Sequence, residues 1–71
     1  PFNNSTNIEF ENKERLIYKL CVFDMLGNKV RHINNISVNK LVFEKGDLNP
    51  GAYFIELSSV EITMRGAIII K

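Results

Sequence analysis

Over most of the chain, apolar and polar residues alternate with a period of two, the spacing of strands that bury one face. The longest run is Arg15–Asp24, RLIYKLCVFD. Leu16, Tyr18, Leu20 and Val22 form a uniformly apolar face, expected in the core. Arg15, Ile17, Lys19, Cys21 and Phe23 form a mixed face, expected to be partly exposed or covered by a neighbouring module. Asn7–Glu11 reads as a short first strand with Ile8 and Phe10 on one side, followed by a polar turn at Asn12-Lys13-Glu14. Lys29–Ile33 reads as a strand with Val30 inward, ended by Asn34-Asn35. In Asn39–Lys45, Leu41 and Phe43 oppose Val42 and Glu44. In Glu61–Ile70, residues Ile62, Met64, Ile68 and Ile70 share a face, and Gly66 predicts a bulge.

The stretch Leu48–Leu57, LNPGAYFIEL, joins a turn to a strand. Pro50 presets the dihedral of a turn's second position, and Gly51 supplies the positive φ that follows. Tyr53, Ile55 and Leu57 then point inward, and Ala52, Phe54 and Glu56 outward. Asp24 through Asn28 has the composition of a hairpin turn, with Gly27 or Asn28 in the left-handed position. No segment keeps a helical period. Strands recurring every eight to twelve residues predict an all-β fold: a small immunoglobulin-like antiparallel β-sandwich of about six to seven strands. Pro1–Thr6, rich in turn formers, is expected to be a lead-in or linker remnant that Phe2 could anchor. Residues 7–71 form the single domain.

Seventy-one residues allow one domain with a small core. A net charge of +1 gives no electrostatic case for nucleic acid. The longest apolar run, Gly66–Ile70, is far short of a membrane span. The chain opens on Pro1 with neither Met nor a basic-then-apolar leader, so a fragment, or a module cut from a longer precursor, is expected. Cys21, the single cysteine, excludes an internal disulfide and reads as a small buried hydrophobe.

Catalytic chemistry is not indicated. His32 has no orienting partner in any motif and reads as a surface or structural residue on an edge strand. One His and one Cys do not match the common structural zinc spacings. The acids are dispersed and form no calcium-loop motif, although Asp24 and Asp47 occupy loops where such a site could form. No nucleophile elbow and no phosphate-cradling glycine loop occurs, and no cofactor is expected. Phe23 and Phe54 are the out-of-phase aromatics. They could form a carbohydrate-binding face, but a peripheral packing pair or interdomain contact is the plainer expectation.

Taken in order, PFNNSTNIEF, YKLCVFDMLGNKV, LNPGAYFIEL and IIIK resemble the C-terminal sorting domains of type IX secretion cargo, type A (Por-type), in Bacteroidota. Pro1-Phe2-Asn3 matches the family's opening with its first Asn absent. Val22 through Gly27 matches its middle hairpin. Leu48, Gly51, Tyr53, Phe54 and Ile55 match its Leu-x-x-Gly-x-Tyr-Phe-apolar hallmark. Arg65 stands alone where the family has a basic pair.

The resemblance implies a folded signal rather than an enzyme. Its partners would be the type IX secretion translocon, a sortase-like signal peptidase and an N-terminal cargo domain of the same precursor. Its route would run through the periplasm and outer membrane to the cell surface, with cleavage upstream of Pro1. The residues expected to carry the signal, by shape or contact, are Gly27, Leu48, Gly51, Tyr53, Phe54, Ile55, Arg65 and Lys71. The alternative is a carbohydrate- or protein-binding β-sandwich appended to a secreted hydrolase.

Overall fold

A computed structural model of the chain describes residues 4–12 and 16–71. Those residues form six strands: β1 (Ser5–Glu9), β2 (Tyr18–Phe23), β3 (Lys29–Ile36), β4 (Lys40–Glu44), β5 (Gly51–Ser58) and β6 (Thr63–Ile70). β1 pairs with β4, and a second sheet runs in the order β3-β2-β5-β6. All pairs are antiparallel. The expected all-β sandwich is what forms. The anchoring role given to Phe2, the turn at Lys13-Glu14 and the start of a strand at Arg15 lie outside the described residues.

The alternating pattern predicts the core because each sheet turns its apolar parity inward. Tyr18, Leu20, Val22, Tyr53, Leu57 and Ile70 come from the larger sheet, and Ile8 and Phe43 from the smaller. Leu16, Val30, Leu41, Ile55, Met64 and Ile68 pack around them. Phe10 meets Tyr18 edge-on, with ring centroids 5.1 Å apart, an aromatic geometry that adds to simple burial. Val42 and Glu44 face outward as expected.

Three local expectations are corrected. The β2 ladder begins at Tyr18, because Leu16 bonds elsewhere. Its N–H donates to Asn12 Oδ1 at 2.8 Å, and its C=O accepts from Asn12 Nδ2 at 3.0 Å. The same amide nitrogen reaches Ser37 and Val38 carbonyls, so one side chain ties the β1–β2 and β3–β4 connections together. Asn12→Ala is expected to cost about 1–2 kcal/mol, because a part-buried N–H and C=O lose their partner; urea denaturation reads this as a lower midpoint at unchanged slope.

The second correction concerns β3, which runs on through Asn34-Asn35 to Ile36. Leu20 opposes Ile33 and Tyr18 opposes Ile36, so two steps on β2 match three on β3. Asn35 takes up the extra residue at φ 60°, a left-handed conformation that Asn tolerates better than most residues. The third concerns Gly66. It lies in unbroken register opposite Ile55, with no bulge, and its bare Cα faces the Ile55 side chain.

The β2–β3 turn is built on Asp24. Its Oδ1 accepts the N–H groups of Leu26 and Asn28, each at 2.9 Å, and Gly27 closes the turn at φ 88°. The hydrogen bond from the Asn28 N–H leads the contacts that hold the Asp24 carboxyl below its ordinary pKa. A depressed folded-state pKa contributes stability above the unfolded value, and that contribution fades as pH falls through the folded one. Wild type is therefore expected to be more stable than Asp24→Asn at neutral pH. That margin should shrink once pH drops below the usual carboxylate range of about 4, as measured by thermal melts across pH 2–7.

Candidate recognition surface

The stretch that opens β5 is held as a rigid corner. The Leu48 N–H donates to the Lys45 carbonyl at 3.1 Å, and the Leu48 side chain is buried in the core. The Tyr53 hydroxyl donates to the Asn49 carbonyl at 2.7 Å, spanning the Asn49-Pro50-Gly51 turn from the strand that follows it. Gly51 has φ 148°, a conformation that is essentially glycine's alone. On the other side of the loop, Lys45 Nζ reaches the Leu48 carbonyl at 3.2 Å and Asp47 pairs with Arg31 of β3.

On the outward face of the larger sheet, the register sets side chains in rows, because directly opposed residues lie on the same side. One row is Phe23, Phe54 and Ala67. The next, toward the end of the sheet, pairs Ala52 with Ile69. Phe54 and Ile69 are each 49% exposed, so these rows form an apolar patch on a surface that the smaller sheet does not cover. On the other side runs a polar row of His32, Cys21, Glu56 and Arg65. Arg65 Nε donates to Glu56 Oε2 at 3.1 Å. Cys21, at 5% exposure, is buried between its neighbours on the central strands, as expected of a small hydrophobe, and His32 is exposed on the edge strand β3.

The residues singled out from sequence divide into two sets. Gly27, Leu48, Gly51, Tyr53 and Ile55 sit in turns or against the core. Phe54, Arg65 and Lys71 are exposed. The register brings Gly51 opposite Ile70, next to Lys71, at the same end of the sheet as the Phe23–Phe54 pair and the hairpin carrying Gly27. Arg65 lies farther along β6. Ala67 and Ile69 complete the patch but are not marked by the pattern, since Ile69 sits within an unbroken apolar run, Ala67 through Ile70. Among the described residues no group of His, Cys, Asp and Glu is arranged to hold a metal ion. Asp24 and Asp47, the two aspartates, both in loops, are engaged by backbone N–H groups and by Arg31 respectively. Among the described residues no helix is long and apolar enough to cross a membrane.

The family described as "Secretion system C-terminal sorting domain" matches the chain over residues 1–71. The fold and the match define a class, small β-sandwich signal domains of secreted proteins. The chain belongs to the type IX secretion C-terminal sorting domain family. Membership implies a secreted or cell-surface protein whose sorting domain meets the secretion machinery and is joined to a cargo. No curated protein and no solved structure gave a significant match.

Proposed function

We propose that this domain directs a covalently attached N-terminal cargo through the periplasm and across the outer membrane. A sortase-like peptidase then cuts upstream of Pro1 and leaves the cargo attached to the cell surface. The observation that carries this reading is the family match along the whole chain. The geometry supports it by dividing labour within the sequence: Gly27, Leu48, Gly51, Tyr53 and Ile55 set the shape, while Phe54, Arg65 and Lys71 are presented to a receptor. A signal read as a folded surface needs both.

The test is a fusion of residues 1–71 behind a periplasmic export leader and a fluorescent reporter, expressed in a bacterium with type IX machinery. The reporter is expected on the cell surface without the domain. Reporter retained in the periplasm with the domain still attached would refute the proposal.

A further inference from the structure

The two sheets leave four free strand edges among the described residues, and three are poor templates for another strand. β1 and β4 are five residues long. β3 is bulged at both ends, carries Asn35 at positive φ and displays Lys29, Arg31 and His32. Shortness, bulges and charge are the devices by which native sheets protect their edges. β6 is neither short nor bulged: it runs eight residues in continuous register with β5 and carries a single charge, Arg65, which Glu56 pairs.

The hydrogen-bond phase shows which groups this edge offers. The Ser59 N–H donates to the Ile62 carbonyl at 2.8 Å, which makes that pair a bonded one. Bonded and non-bonded pairs alternate along an antiparallel ladder. Met64, Gly66, Ile68 and Ile70 therefore bond to β5, and the N–H and C=O groups of Thr63, Arg65, Ala67 and Ile69 point away from it. The apolar patch reaches this edge through Ala67 and Ile69, and the inner side of the strand is apolar as well. From Thr63 to Lys71 the strand carries two cations and no acid; Arg65 is paired with Glu56 of β5, so the charge left to a partner is that of Lys71.

We infer that the free edge of β6 is a strand-accepting site, occupied during export by an extended segment of the secretion machinery; this rests on the sorting function proposed above. The occupant is apolar on both faces, as the edge it joins, and carries an acid near Lys71, the cation that Glu56 does not already pair. Charge complementarity disfavours a second copy of the chain, whose own β6 would bring a further Lys71 to the seam and no acidic side chain. Backbone pairing supplies the affinity, and the side chains at the seam select the partner.

The test uses the same reporter fusion. Ala67→Pro removes an N–H that faces only the free edge, a position where an edge strand tolerates proline. Surface reporter is expected to fall about tenfold, as for loss of an interstrand bond to an acceptor left unpaired, with the domain still folded by circular dichroism. Asn12→Ala, destabilised but with the edge intact, is expected to be exported. If Ala67→Pro does not fold, Ile69→Lys decides, since an edge lysine blocks strand addition without altering the β5 ladder. Wild-type export of the folded variant would overturn the inference. Sedimentation showing a wild-type dimer that Ala67→Pro dissociates would also overturn it, by assigning the edge to a second copy. Failure of the wild-type fusion to reach the surface would instead overturn the sorting function itself.

Discussion

Phe43→Ala lowers the stability of the domain by about 3–5 kcal/mol, the largest loss expected of the substitutions considered. Phe43 is 2% exposed and comes from a two-stranded sheet. A pair of strands is marginal by itself and persists only when packed against a larger partner. The Phe43 ring is a principal contribution of that small sheet to the shared core, so its loss leaves a void between the sheets that neither can close. For a domain of this size, total stability is on the order of 4–10 kcal/mol, and the substitution removes a large fraction of it. Urea denaturation followed by circular dichroism reads the effect directly. Phe43 lies in none of the stretches that carry the family resemblance, so any effect of this variant on export reports on folding.

Gly51→Val is the second large effect, about 2–3 kcal/mol, and its cause is different. A Cβ at position 51 would meet nothing within 4 Å, so there is no clash to relieve. The cost lies in holding an L-residue at φ 148°, where a β-branched side chain is especially unwelcome. A chemically synthesised chain separates strain from crowding. D-alanine at position 51 adopts this φ as an L-residue adopts its mirror image, and is expected to melt as wild type does, whereas L-alanine at the same position is expected to lose stability.

The side of each strand that enters the core was legible from alternation alone, because one-sided burial permits no other assignment of Tyr18, Leu20, Val22, Tyr53 and Leu57. The turn at Gly51 was legible for a similar reason, since Pro50-Gly51 narrows the backbone to a few conformations. Strand ends and irregularities were less legible. Asn34-Asn35 looks like a terminator, yet Asn35 accommodates a bulge and the ladder continues to Ile36. Gly66 looks like a bulge, yet it lies in a regular ladder opposite Ile55. In each case the local residue permits two outcomes, and pairing with a neighbouring strand chooses between them.

The candidate recognition surface was legible only in part. Phe23 and Phe54 stand out because they break the alternation, but only the β2–β5 register sets them opposite each other. Periodicity sets Ile69 on the side opposite Ile68 and Ile70, but it belongs to a run that is apolar on both parities, so nothing in the pattern marks that side as exposed. Asn12 carries no pattern at all. Its importance comes from long-range bonds to Ser37 and Val38 that join two connections distant in sequence.

If the signal is a folded sandwich, and not a linear motif in Leu48–Leu57, export must follow the folded fraction. The most direct measurement compares the surface fraction of a reporter carrying wild type, Asn12→Ala, Gly51→Val or Phe43→Ala at one temperature with the stability of each purified domain. Export is predicted to decline in that order and to be lowest for Phe43→Ala, although every residue of LNPGAYFIEL is intact in that variant. Export of Phe43→Ala at the wild-type level, with the domain unfolded in solution, would contradict the account.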